Sequence, residues 1–564
     1  MAMKKYILLF VLVGLFSTGF AQTTCRVQDQ KPLELLSQTV KRSMHTFKKQ
    51  DPPIYYLNYN LNDVDIYTAE ASEGGLLYAR DMRYQAAQVQ VRAGSPRMDN
   101  TRTLKTAGTN YLLDTVQMPE IGADGKAFLT ALWRLTEQAA EAAQQDFNRV
   151  RADSQTASAR KDNSPDFVFP PKETFCEEYP PLTFDRQKIE KLLLRVSDLT
   201  RGKPYVLNSS FSFEMQSGSR YFVDSVGTQL KTPVRLARLM YNLRGKTADG
   251  AEINRSGFYD VLSEEELPSE EQLTADVQRS LQELHDLLNA PEAEPITVPV
   301  ILKNKAMAVF VHEVLGHRVE GHRQKEDSFG KTFTDKVGQE IVAPLLTIVD
   351  DATLPYFNNI PLRGFYRYDE EGVKARPVTL VENGILKGFL MSSSPINGFA
   401  ASNGHGRGEE GMRPVARMGN TRVIASKTVS YDELEKQLLE EIKRQQKPYG
   451  FIIEDLSGGF TMTETNFPQT FKLTPTLVYR VYPDGRKEPV RGADIVGTPL
   501  AAFHEVIAAA DDYGVFNGSC GAESGWVPVS GIAPSVLLHK LEFEKTGKSD
   551  LQPPLLPPPF GEEK

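Results

Sequence analysis

A chain of 564 residues with 40% hydrophobic and 24% charged content is ordinary for a globular protein and too long for one small core, so two or three domains are expected. The formal net charge of −8 is spread over 65 basic and 73 acidic residues, with no basic stripe, which argues against nucleic acid as the main partner.

Residues 1–21 differ from all that follows. Lys4 and Lys5 precede an apolar run from Tyr6 to Phe16, and Ser17-Thr18-Gly19-Phe20-Ala21 come next. This is the pattern of a secretory signal peptide, with cleavage expected after Ala21. The run is about half the ~20 residues that a membrane-spanning helix needs. The expectation is therefore an exported, periplasmic protein with no stable membrane insertion. Three cysteines remain, Cys25, Cys176 and Cys520. In an oxidising compartment two can pair, leaving one for chemistry or metal.

From Pro52 to Val116 short β-rich runs alternate with polar breaks, as in Ile54–Leu57 and Ala86–Val91, and predict strands. Phe128, Leu132, Leu135, Ala139 and Ala142 then recur at three- and four-residue steps and predict a helix over 127–150. The polar stretch 151–164 is expected to be an exposed loop. Helix signals return at Arg186–Leu199 and again at Pro268–Ala290, where Ser269 and Gln272 have capping-box spacing. Pro291 and Pro295 stop that helix and mark a domain boundary. Beyond it the chain reads mostly as strands: Leu345–Val349, Val378–Glu382, Ile385–Met391, Gly450–Glu454 and Lys472–Val481, with Asn383-Gly384 as a hairpin turn. The expected organisation is a mixed α+β protein: signal peptide 1–21, an N-terminal α/β domain over 22–290, a mostly β C-terminal domain over 291–545 carrying one metal-site helix, and a Pro-rich tail over 546–564.

Chemistry concentrates at His312-Glu313-Val314-Leu315-Gly316-His317, an HExxxH sequence that follows apolar Val309-Phe310-Val311. A zinc peptidase needs neutral imidazoles, a third protein ligand, an open position for water, and a carboxylate base outside the ligand set. Glu313 suits the last role. The spacing is unusual: four residues separate two side chains by about 40° around a helix, five by about 140°. The segment must contain a π-type bulge or leave its regular helix before His317, and Gly316 permits such a deviation. For the third ligand the residues leave two candidates, His322, ten positions after His312, and Cys520, whose thiolate is a good zinc donor. Gly406–Gly411 satisfies GxGxxG, but Pro414 follows and no helix can open there, so a dinucleotide site is not expected. The Gly-rich stretch 398–411 reads as a solvated loop, or as one that orients a peptide through Arg413 and Arg417. His504 beside Glu505 reads as a surface pair.

Several ordered blocks resemble the TldD/PmbA metallopeptidases: His312–Gly321, Val349–Pro355, Val381–Phe389, Arg413–Thr421, and Cys520-Gly521 leading to Val527-Pro528-Val529. The resemblance is strong from Val311 to Leu541 and faint before it. It implies zinc held by His312, His317 and Cys520, Glu313 as catalytic base, and a homo- or hetero-oligomer with a related subunit. The family usually has Asp where this chain has His322, and its members are usually cytoplasmic. The leading expectation is hydrolysis of small or unfolded peptides by a zinc-bound water that Glu313 activates. The alternatives are a non-catalytic partner or binding protein stapled by zinc, and a cysteine hydrolase using Cys520 as nucleophile.

Overall fold

The structure is a computed structural model that describes residues 23–104, 108–122, 124–156, 162–325, 329–461, 463 and 470–546. The signal peptide expected at 1–21 and all but the first residue of the Pro-rich tail lie outside the described residues.

The first half comprises α1 (Lys31–Phe47), β1 (Ile54–Ser72), β2 (Gly75–Ser95), α2 (Lys126–Thr156), α3 (Arg186–Ser197), β3 (Asn208–Asp224), β4 (Gln229–Lys246), β5 (Glu252–Asp260) and α4 (Glu270–Asn289). Five of its nine strands run antiparallel in the order β5-β4-β3-β1-β2. Successive strand side chains point to opposite faces, so residue parity separates the faces. Odd positions such as Tyr59, Val89, Phe211, Phe213, Leu239 and Leu243 are buried under the helices. The other face mixes polar and apolar residues, and several of its even-numbered polar positions reach the second half of the chain: Asn60 Nδ2 donates to the carbonyl of Glu370, Asn62 Nδ2 to Glu410, and Arg220 to Glu370. The helices thus cover one face of an antiparallel sheet rather than alternating with parallel strands. The short strand Thr174–Glu178, parallel to β4, carries Cys176, which is disulfide-bonded to Cys25.

Two expectations need correction here. Residues 151–156 are not loop but the last turns of α2. The second half holds more helix than one metal-site element, because α6 (Tyr431–Arg444, labelled in order below) packs Leu434, Leu438 and Ile442 on an outer sheet face.

The second half contains β6 (Ile296–Leu302), α5 (Asn304–Val314), β7 (Leu346–Asp350), β8 (Val378–Glu382), β9 (Asn420–Ala425), α6, β10 (Gly450–Thr461), β11 (Phe471–Val481), β12 (Ala493–Gly497), β13 (Gly514–Ala522), β14 (Gly525–Ala533) and β15 (Val536–Lys545). One sheet includes β6, β10, β11, β12 and β15, and a second includes β8, β7, β9, β14 and β13. The turn between β8 and the strand after it has Asn383 at φ 48° and Gly384 at φ 85°, as the Asn-Gly signal predicts. Helix α5 lies between the sheets, packed on β10 from one and on β9, β13 and β14 from the other. Its sequence explains the position: Ala306, Met307, Ala308, Val309, Phe310 and Val311 are all buried, and a helix apolar all round belongs in a core. Gly531 of β14 lets the strand come close, since a Cβ there would sit 2.9 Å from that of Ala308.

Candidate metal centre

The sandwiched helix α5 delivers His312 and Glu313 in its last turn and then ends at Val314. Leu315 is the C-cap, at φ −109° and ψ −51°, and Gly316–Val319 continue as a 3-10 turn that carries His317. Of the two ways to converge histidines five residues apart, the chain takes the second: it leaves the regular helix. Gly316 serves this differently from the expectation. Its φ is not positive; instead a Cβ at 316 would fall 2.0 Å from the sulfur of buried Met418. Space, rather than backbone freedom, requires the glycine.

The third donor arrives from β13 of the second sheet. Cys520 pairs across to Val527 of β14, and its side chain points inward at 4% exposure. His312 Nε2 is 3.1 Å from Cys520 Sγ, and His317 Nε2 is 3.4 Å from it. The ligand atoms of the three residues lie within 4.8 Å of one another, and all three residues are buried. Around a tetrahedral zinc with Zn–S near 2.3 Å and Zn–N near 2.0–2.1 Å, nitrogen and sulfur donors stand about 3.5 Å apart. The observed separations fit such an ion to within a few tenths of an ångström. Glu313 is half-buried and lies against Gly459 of β10, where a Cβ would come within 3.1 Å of its Cγ.

Electrostatics agree with the donor chemistry. Burial alone pushes the Cys520 thiol up and both imidazoles down, but their mutual attraction outweighs it. The thiol is held well below its ordinary value, and the pKa of His317 is raised to about 10. Both directions favour a thiolate facing protonated rings. A divalent cation replaces those protons and leaves neutral imidazole with thiolate, the forms that bind zinc.

A layer of charged residues braces the donors. Glu320, fully buried, accepts from His317 Nδ1 at 3.3 Å and from Arg323 Nε at 2.8 Å. With Nδ1 so engaged, Nε2 of His317 is the atom left for a metal. Burial tends to raise the Glu320 pKa, yet His317, Arg323 and Arg417 hold it well below the usual carboxylate range. Arg417, also fully buried, places Nη2 3.1 Å from Cys520 Sγ and 2.6 Å from the Cys520 carbonyl oxygen. Its own segment is tied down by Asp350, which accepts from the Gly419 amide, from Thr421 Oγ1 at 2.8 Å and from His405 Nε2 at 3.2 Å. The Val349–Pro355 and Arg413–Thr421 blocks are therefore two halves of one support.

These supporting roles escaped the sequence reading. Arg417 is neither a surface charge nor a loop residue reaching for a peptide. Arg413 is turned inward as well, donating to the Thr101 carbonyl. Around them His405, Gly406 and Arg407 are buried, so the Gly-rich stretch is not a solvated loop throughout. A charged residue set between apolar Val415-Ala416 and Met418 was the available signal. His322, the rival ligand, is not with the donors: its Nε2 is 3.7 Å from Glu523 Oε1, in a separate group with Glu320. His504 is exposed, and its nearby acid is Glu340, at 3.6 Å.

Sheet-enclosed helix, histidine pair and cysteine together define a mixed α+β protein with a buried N₂S cluster of metal-ligand type. Residues 295–545 match the family described as "PmbA/TldA metallopeptidase C-terminal domain". A metalloprotease of Methanothermobacter thermautotrophicus is 25% identical over 340 residues, covering 59% of this chain and 69% of the relative. A protein of Saccharolobus solfataricus named zinc metalloprotease TldD homolog is 29% identical over 247 residues, 43% of this chain, and the match spans about half of that relative's length (51%). TldE from Thermococcus kodakarensis has the same fold, with a TM-score of 0.59 at 15% identity over 90% of this chain and 100% of that one. Over residues 295–545 the chain is similar to the TldD/PmbA family.

Proposed function

We propose that the protein is a zinc-dependent peptidase acting on small or unfolded peptides, with His312, His317 and Cys520 as the zinc ligands and Glu313 as the general base. The observation that carries this reading is the convergence of three buried donor atoms, with a carboxylate one residue from the first of them and outside the set. Relatives named metalloproteases, one of them a zinc metalloprotease, support it. When bound, zinc supplies Lewis acidity that polarises the scissile carbonyl and acidifies a water. Glu313 takes the proton from the attacking water and passes it to the departing amine. Glu320 keeps His317 in the tautomer that presents Nε2, and the closely packed sheets on either side of α5 exclude bulk water from the donors.

The zinc-stapled alternative has no use for Glu313. The cysteine-hydrolase alternative draws on the same thiolate and imidazoles, but a sulfur at 4% exposure is closed to an incoming substrate carbonyl. Export to the periplasm and cleavage after Ala21 remain part of the proposal, supported by the composition of residues 1–21 and by the Cys25–Cys176 disulfide, a bond at home in oxidising compartments. A homo- or hetero-oligomer with a related subunit completes it.

The test is metal content and peptide cleavage of the mature protein, alone and with a paralogous subunit. Stoichiometric zinc with chelator-sensitive cleavage is expected. Cleavage by metal-free protein would overturn the zinc mechanism.

A further inference from the structure

Every nitrogen of the Arg417 guanidinium has a polar neighbour. Nη2 contacts both Sγ and the carbonyl oxygen of Cys520, Nη1 donates to Ser524 Oγ at 2.9 Å and to the Gly525 carbonyl at 3.1 Å, and Nε is 3.3 Å from Glu320 Oε1. Arg417 is the largest side chain in the described residues to be fully buried. Enclosing a guanidinium so completely is costly unless its partners repay it, and a planar fork can hold several partners at fixed angles where an ammonium cannot. Two of those partners belong to the metal centre: the sulfur of Cys520, and the carboxylate that orients His317.

We propose that Arg417 is a positioning residue of the metal centre, which locks the Cys520 sulfur and, through Glu320, the ring of His317 into one donor set and moderates the electron donation of the sulfur by hydrogen bonding to it. The inference rests on reading His312, His317 and Cys520 as metal ligands. A thiolate that accepts a hydrogen bond gives less charge to its cation. The cation then stays more electron-poor, which favours polarisation of a carbonyl. Arg417 touches no reacting atom; it acts through Cys520 and Glu320.

The experiment uses the full mature chain, wild type against Arg417→Met and Arg417→Lys, with Arg407→Met as a comparator. Arg407 is also buried, at 4% exposure, but it donates to the Met418 and Pro528 carbonyls and contacts none of the three ligands. Zinc affinity is measured by competition with a chromogenic chelator, and the sulfur-to-metal charge-transfer band is recorded with Co²⁺ in place of zinc. Arg417→Met is expected to bind zinc roughly 10–100-fold more weakly, with the cobalt band moved to lower energy. Arg417→Lys should lie between it and wild type, because it keeps the charge and loses the fork. Arg407→Met should leave the band where it is. If Arg417→Met does not fold, Arg417→Lys decides, with at least a several-fold loss expected. Unchanged affinity and an unmoved band in the Arg417 variants overturn the inference, as does an equal band shift in Arg407→Met. Wild-type protein that binds neither zinc nor cobalt overturns instead the metal-site reading beneath it.

Discussion

Two buried groups of three ligand-type residues lie side by side in this molecule, and they differ in what already fills them. His312, His317 and Cys520 face one another directly, the sulfur 3.1 Å and 3.4 Å from the two Nε2 atoms, while Arg417 reaches the sulfur and Glu320 the far nitrogen of His317. Glu320, His322 and Glu523 also fall within reach of a common point. Arg323 occupies that point, giving Nε to Glu320 at 2.8 Å and Nη1 to Glu523 at 2.5 Å. The guanidinium forks onto Glu523 through Nη1 and Nη2 and reaches Glu320 through Nε alone, so a cation is already paired with both carboxylates. Ligand-type residues in proximity do not by themselves make a metal site; what already bridges them counts as well, and in the second group that is a guanidinium.

The comparison can be broken or sharpened by four measurements, in falling order of effect. Glu313→Ala removes a proton acceptor and no ligand, so zinc content should stay stoichiometric while peptide cleavage falls roughly 10²–10⁴-fold, about 3–5 kcal/mol of barrier. Equal cleavage rates in the variant and the wild type, both fully loaded, would rule out Glu313 as the base. Cys520→Ser removes a donor and should weaken zinc binding by more than the roughly 10–100-fold that loss of a supporting contact costs. His322→Ala should leave zinc binding intact. The reverse ranking, read by metal analysis after dialysis, would make the second group the metal site.

The third measurement concerns acid. Burial tends to raise the Glu523 pKa, but Arg323 and His322 outweigh it and hold it at about 2, below its ordinary 4.5. A depressed carboxylate stabilises the fold above its unfolded pKa, and that stability is lost as pH falls toward the folded value. The contribution is about 3 kcal/mol, lost between roughly pH 4.5 and 2. Glu523→Gln should show a correspondingly shallower loss over that window in denaturant titrations. The smallest effect is that of Gly316→Ala, where the new methyl meets Met418 and should destabilise by about 1–3 kcal/mol. A thermal transition unchanged from wild type would show that Met418 moves aside without cost.

Much of this site was legible in the sequence because local chemistry marks it. The HExxxH run announced both histidines, and its awkward angular spacing announced a helix that could not continue; the chain ends α5 at Val314 accordingly. Cys520 could not be reached by spacing, since it comes from another strand 208 residues away, and only the resemblance of ordered blocks singled it out. Within those blocks Glu320 was quoted without a role and Arg417 was read as an arginine on a loop that orients a peptide, because whether a charge is buried depends on tertiary partners that no periodicity reveals. In the fold, helices with strong stripes and caps were foreseen. α4 starts where Ser269 accepts from the Gln272 amide. The same signature at Ser430 and Glu433 went unread, and α6 with it. The long strand β3 went unread although buried Phe211, Phe213 and Met215 alternate with exposed or half-buried Ser210, Ser212 and Glu214, the period-2 signal of a half-buried strand.

The separation of His312 from Cys520 also has a meaning in time. A ribosome adding roughly 5–20 residues per second needs about 10–40 s to pass from one to the other. Through that interval the nascent chain carries two histidines and no sulfur beside them. Until β13 is made and paired with β14, the donor set is incomplete, so metal capture is among the last events of assembly. For a chain that is translocated before it folds, the ion is then drawn from the compartment where the chain folds, and not from the one where it is made.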